Sequence, residues 1–209
     1  MKKKITVFYT LALCLVFTSI ASASGTELAS HIQSAYKNLK DAKGAFVQKS
    51  FIKEIGETET YKGDFYMKIP SKMFYKYRQG SKDKVLVEGN TILLYQQNQN
   101  QVVKSKFDPA SYGAAPVALL GGLGNLQREF NITEKNGKLL LTPKGPMGGI
   151  TLLEIVPSKN PFPIKSMTMH MKSSTVSLTF EDVKTNTGIK DSVFRLNQPA
   201  GAAFLDYTH

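Results

Sequence analysis

Cysteine occurs once in the 209 residues, at Cys14, and tryptophan does not occur at all. Cys14 lies inside an apolar run, with Leu13 before it and Leu15, Val16 and Phe17 after it. A lipid-attachment cysteine closes such a run after a small residue, so Cys14 reads as an ordinary member of the run. Lys2, Lys3 and Lys4, the apolar stretch from Ile5 to Ile20 and the small-x-small triplet Ala21-Ser22-Ala23 together predict a secretory signal peptide over residues 1–23, cut after Ala23. The run is short for a membrane span of about 20 residues and ends in small side chains instead of basic ones. Loss of this segment takes the only thiol with it. The mature chain, residues 24–209, is expected to have no disulfide and no thiolate metal ligand, so its fold must rest on a packed core.

Histidine is nearly as scarce. His31, His170 and His209 are far apart, and none has metal-ligand spacing. There is no Gly-x-Ser-x-Gly, no P-loop and no dinucleotide fingerprint; Gly121-Gly122-Leu123-Gly124 lacks the Lys-Ser/Thr that a phosphate cradle requires. Asp64, Glu88 and Glu181-Asp182 fall where turns and strand faces want charge. The expectation is a non-enzyme with no metal and no cofactor. Acidic residues are the scarcer sign, 16 against 27 basic, for a net charge of +11. A basic excess survives removal of the three leading lysines. It suits membrane surfaces or acidic proteins, and simple solubility as well. No basic run longer than two residues follows the signal, which argues against nucleic acid.

What is present is mostly strand signal. Ser24-Gly25-Thr26-Glu27 has capping-box spacing, and Leu28, Ile32, Ala35 and Leu39 then recur at helical intervals. After Asp41 the period drops to two, with Ala45, Val47 and Phe51 beginning a strand-like stretch. Strands are expected around Phe46-Val47-Gln48, from Tyr61 to Ile69, and through Met73, Tyr75 and Tyr77. Val85-Leu86-Val87 and Ile92 to Tyr95 follow, joined by a turn at Glu88-Gly89-Asn90. Further strands read at Gln101–Lys106, Phe130–Glu134, Leu139–Thr142, Thr151–Val156, Ile164–Met171, Thr175–Phe180 and near Val193–Leu196. Asn136-Gly137 is a tight-turn dipeptide. About eleven short strands at hairpin spacing predict one mainly β domain, an antiparallel barrel or half-barrel. Residues 112–122, with Pro116 near the start and glycines at the end, predict a short apolar helix that must dock on something.

Six methionines lie beyond Met1, and Met167, Met169 and Met171 alternate on one strand face. Phe46, Phe65, Tyr75, Tyr77 and Leu94 fall on other strands. A filled core explains this set. So does a surface meant to accept ligands of varied shape, for which methionine is well suited.

These residues also carry a family likeness. Ala45-Phe46-Val47-Gln48, Gly63-Asp64-Phe65 and the run Met67-Lys68-Ile69-Pro70-Ser71-Lys72-Met73-Phe74-Tyr75 resemble the pattern of LolA, the periplasmic carriers of outer-membrane lipoproteins. The likeness continues through Glu88-Gly89-Asn90, Pro116-Val117-Ala118-Leu119-Leu120, Leu140-Leu141-Thr142-Pro143, Phe180-Glu181-Asp182 and Phe194 to Gly201. It implies an incomplete antiparallel β-barrel closed by the N-terminal helix and a short lid helix, around an apolar cavity for acyl chains. By position, Phe46, Phe65, Met67, Met73, Tyr75, Leu94 and Tyr95 would line or border that cavity, with Met167 and Met169. Pro116, Val117, Leu119 and Leu120 would form the lid, and Leu28, Ile32 and Ala35 would touch the opening. Many members place an arginine where this chain has Ile69, so lid tethering by that residue is not expected here.

The resemblance further implies a monomer in the periplasm. It would take triacylated lipoproteins from an inner-membrane ABC-type release complex and pass them to a LolB-like outer-membrane acceptor. Three acyl chains of roughly 16 carbons, at about 0.8 kcal/mol per methylene, would exceed the roughly 20 kcal/mol at which non-covalent affinity saturates. Shelter must therefore be partial. A carrier of another lipid or glycolipid fits the same residues, and a non-binding secreted β-protein is the remaining alternative. Lys72, Lys76 and Arg78 are candidate partner contacts on the face opposite Met73, Tyr75 and Tyr77.

Overall fold

The computed structural model describes residues 24–107 and 126–208. Its strands are β1 (Asp41–Ile52), β2 (Glu57–Lys68), β3 (Lys72–Gln79), β4 (Lys84–Glu88), β5 (Thr91–Gln96) and β6 (Gln101–Lys106) in the first half. The second half holds β7 (Phe130–Lys135), β8 (Lys138–Pro143), β9 (Ile150–Pro157), β10 (Ile164–Met171), β11 (Ser174–Thr185) and β12 (Ala203–Tyr207). Among the described residues two α-helices accompany them, α1 (Ser24–Lys37) and the single turn α2 (Leu126–Glu129). The strands form one sheet in the order β12-β6-β5-β4-β3-β2-β1-β11-β10-β9-β8-β7. The end strands do not pair with each other, so the barrel stays open. The expected lid helix, with Pro116, Val117, Leu119 and Leu120, and the expected signal peptide lie outside the described residues.

Local chemistry accounts for the hairpins. Asn136 and Gly137 take φ of 53° and 70° between paired Lys135 and Lys138, the mirror-image turn that matches strand twist. Gly89, at φ 58°, turns the chain between Glu88 and Thr91, which pair across β4 and β5. Every pairing is antiparallel except the last. β12 runs parallel to β6 and forms one edge of the sheet.

The strand expected near Val193–Leu196 is not there. Asp191–Val193 forms a 3-10 turn, with the Val193 and Phe194 amides donating to the carbonyls of Lys190 and Asp191. Val193, Phe194 and Leu196 do not alternate; they pack with Ile189 on Phe74, Leu86, Tyr66 and Leu93. Burial on a ready-made sheet surface replaces pairing. The last strand comes later, as β12.

One carboxylate holds this crossing in place. Asp41, at the start of β1, is buried and accepts hydrogen bonds from the Thr187 amide (2.8 Å), the Thr187 hydroxyl (3.1 Å) and the amides of Gly188 (2.9 Å) and Ile189 (3.3 Å). Burial alone would raise its pKa. The backbone and hydroxyl donors outweigh that and hold it below the ordinary carboxylate value.

The main core draws on both halves of the sheet and on α1. Phe46, Phe65, Met73 and Val87 from the first half share it with Leu139, Leu153, Met167 and Leu178 from the second, as a strongly curled sheet requires. α1 packs on β7 and β8 through the buried face of Ala29, Ile32 and Tyr36. Leu28 joins as a half-buried neighbour, and Ala35 is only half-buried.

Candidate functional site

Strand alternation puts one set of side chains inside the curl. Phe46, Phe65, Met67, Met73, Tyr75, Met167 and Met169 are all buried in the main core, with Met171 packed against its margin. The inner wall is thus apolar, with methionine on both halves of the sheet and aromatic rings between. Phe46 meets Tyr75 and Tyr77 edge-on, each with ring centroids 5.2 Å apart. Phe65 meets Phe180 at 5.3 Å and Phe162 at 5.9 Å, and stacks on Tyr75 at 6.3 Å. Such contacts hold ring orientation beyond what area burial supplies.

Two glycines make room for these rings. Phe46 pairs across the strands with Gly63, and Gly44 pairs with Phe65, so each phenylalanine stands opposite a residue without a side chain. A Cβ at position 63 would lie 2.8 Å from the Phe46 ring and 2.2 Å from the Lys76 carbonyl oxygen. At position 44 it would lie 2.8 Å from the Glu181 carbonyl.

Tyr75 is the exception to an apolar wall. Its hydroxyl is buried and has no hydrogen-bond partner among the described residues. Burial, then the neighbouring Tyr77 and Tyr36, push its pKa well above the ordinary phenol value, so it is a neutral donor at any physiological pH. Towards one end the inner face turns polar. Gln48, Ser50, Tyr61, Tyr77, Ser81, Asp83, Val85 and Leu94 line a half-open pocket of about 280 Å³, where the Tyr77 hydroxyl donates to Gln48 Oε1 at 2.8 Å. Leu94, expected at the cavity, stands at this pocket.

Tyr95 needs correcting. Adjacent strand residues face opposite ways, and Tyr95 lies on the outer side with Val102 and Ala202 while Ile92 faces the core. Leu94 and Tyr95 therefore cannot share one wall. The Ile69 side chain packs half-buried on the core and offers no donor, while its amide donates to the Lys40 carbonyl at 2.9 Å. Lys68 and Lys72 face outward, where Lys68 meets Asp191 at 2.6 Å and Lys72 meets Glu88 at 2.8 Å and Asp191 at 3.5 Å. Arg78 pairs with Asp64 at 3.0 Å. His31 is exposed, and His170 contacts Glu154 at 2.8 Å.

Some of the wall escapes a reading of the sequence. Phe162 stands in the loop Pro161-Phe162-Pro163, where no strand period marks it; its only signal is a lone aromatic between two prolines. Gly44 and Gly63 show as strand glycines, but their purpose depends on register.

Comparison with known proteins adds a family pattern. The family described as outer membrane lipoprotein carrier protein LolA matches residues 37–197. An outer-membrane lipoprotein carrier protein of Cupriavidus pinatubonensis is 27% identical over 222 aligned positions, covering 97% of this chain and 98% of the relative. One from Neisseria meningitidis serogroup C is 27% identical over 214, covering 98% and 99%. Among solved structures, a DUF1329 family protein from Desulfovibrio piger is similar in fold, with a TM-score of 0.54 at 11% identity over 83% of this chain and 97% of that one.

Proposed function

This chain belongs to the LolA family of outer membrane lipoprotein carrier proteins, and from that membership we propose that it is a periplasmic carrier of lipoprotein acyl chains. The supporting observation is the inner wall: Met67, Met73, Met167 and Met169 face Phe46, Phe65 and Tyr75 in one apolar core, inside a sheet that does not close. An open curl can widen without breaking a continuous ring of hydrogen bonds. Methionine walls repack around chains of different length at low cost. Acyl chains displace side chains from one another and gain burial in return, so no catalytic step is required.

In this reading residues 1–23 direct export and residues 24–209 form one carrier domain, acting as a monomer. Residues 116–120, with Val117, Leu119 and Leu120, cover the chains, and Leu28, Ile32 and Ala35 lie at the opening. Cargo comes from an inner-membrane ABC-type release complex and leaves to a LolB-like acceptor that offers a better apolar surface. No described helix is long and apolar enough to cross a membrane.

The test is uptake of a radiolabelled triacylated lipoprotein by the chain from residue 24 onward. Saturable binding is expected, and Leu120→Glu should abolish it in a folded protein. No saturable uptake by the unmodified chain overturns the reading. Mass spectrometry of ligand co-purified from the native periplasm identifies the cargo; a non-protein lipid alone would redirect the proposal to lipid transport.

A further inference from the structure

The outer face of the sheet carries a second feature, independent of the acyl-chain reading. Residues 189–202 cross behind β2–β6, and where they meet β3, β4 and β5 a pocket of about 210 Å³ opens, lined by Phe74, Lys76, Lys84, Tyr95, Arg195, Leu196 and Asn197. Three of these side chains are cationic.

Their arrangement is costly to the fold. Lys76 and Lys84 are direct cross-strand partners on β3 and β4, a position where like charges destabilise a sheet. Neither they nor Arg195 form an ion pair with a described residue. Their basic neighbours on this face differ: Lys68, Lys72 and Arg78 each meet a carboxylate. Asp64, opposite Lys76 on β2, is engaged by Arg78.

Aromatic faces hold the two lysines instead. The Lys76 ammonium sits 4.6 Å from the centroid of Phe74 and 5.0 Å from that of Tyr66, and Lys84 sits 5.7 Å from Tyr95. A ring face steadies a cation without neutralising it, so the charge stays available to a ligand. Burial and then the charge of Lys84 hold the Lys76 ammonium below its ordinary pKa, with Asp64 opposing. The charge of a bound anion would offset both effects.

We propose that Lys76, Lys84 and Arg195 form a binding site for a phosphate group on the outer face of the sheet. One carboxylate would answer one charge. A phosphate brings several acceptor oxygens, enough for two lysines on adjacent strands and an arginine on the crossing segment, and the Arg195 guanidinium adds a planar fork that matches it. The source is either a phospholipid headgroup or a free phosphate compound.

The experiment uses the chain from residue 24 onward at low salt. Inorganic phosphate and glycerol 3-phosphate are titrated in, with binding followed by side-chain NMR of Lys76, Lys84 and Arg195. Saturable shifts and a rise in the Lys76 pKa are expected. Lys84→Gln with Arg195→Gln should weaken binding about a hundredfold, since each lost charge-assisted hydrogen bond is worth about a factor of ten. A charge-matched pair elsewhere, Lys49→Gln with Lys165→Gln, should leave it unchanged.

Flotation with phosphatidylglycerol and phosphatidylcholine vesicles separates the sources. Site-dependent capture by the anionic vesicles assigns a headgroup; phosphate binding without capture assigns a free compound. Equal weakening in both double variants, no response to either ligand class, or response to an acidic peptide alone would overturn the site. Lipoprotein uptake in the Lys84/Arg195 variant should be unchanged, which keeps this test apart from the carrier test.

Discussion

Phe46 on β1 and Gly63 on β2 are direct cross-strand partners, and the Phe46 ring occupies the space that a side chain at position 63 would need. Glycine weakens a strand by leaving backbone uncovered and unfolded entropy high. A ring laid across it restores the cover. Gly44 and Phe65 repeat the arrangement two residues along, in the opposite sense. The result is two phenylalanines side by side in a core that lacks tryptophan.

Gly63→Ala should therefore lose about 1–3 kcal/mol of stability in urea unfolding. The clash includes the Lys76 carbonyl, which cannot rotate away. Gly145→Ala, where nothing lies within 4 Å, is the control and should change stability by less than about 0.5 kcal/mol. Equal effects at both sites would refute the packing role of Gly63.

Tyr75→Phe should do the reverse and stabilise the ligand-free protein by about 1 kcal/mol or more, because it removes a buried hydroxyl that lacks a partner among the described residues. The ring contacts with Phe46 and Phe65 are kept. A clear loss of stability would mean that the hydroxyl is already satisfied.

Asp41→Asn should cost about 2 kcal/mol at neutral pH, since four donors converge on the carboxylate. The sign of the pH effect follows from a folded-state pKa below the ordinary value of 3.8. Its contribution is complete above about that pH and is lost as pH falls through the lower folded-state value. Acid titration of stability should thus be shallower in the variant. An unchanged acid profile would count against the clamp.

Met169→Leu conserves volume and should cost less than about 1.5 kcal/mol. If the wall repacks around cargo, the variant should bind a narrower range of acyl-chain lengths than the parent. Competition between short- and long-chain lipopeptides measures it, and an unaltered range would deny methionine that role.

The hairpins were legible because their turns are spelled by residue type, as at Asn136-Gly137 and Glu88-Gly89. Which face a strand residue takes was half legible. Alternation sorted Met73, Tyr75 and Tyr77 correctly onto one side. It could not show that Phe74 is buried too, because β3 is covered on both faces. Tyr95 went astray through the family likeness, which set it beside Leu94 although alternation puts the two on opposite faces. Val193–Leu196 misled for another reason: a chain that docks on a sheet needs apolar residues as much as a chain that joins it. The Lys76–Lys84 pairing was invisible, since register across β3 and β4 depends on the turn between them.

The crossing that Asp41 anchors divides the wall by thickness. Behind β2–β6 lies a second layer, with Ile189, Phe194 and Leu196 pressed on Phe74 and Leu86. Among the described residues no such layer backs β8–β10. A wall two layers thick resists bending far more than one of a single layer, so the interior of this molecule has a stiff side and a compliant side. A guest that swells it should displace the backbone at Leu153, Met167 and Met169 more than at Met73 and Tyr75, whose side chains still repack.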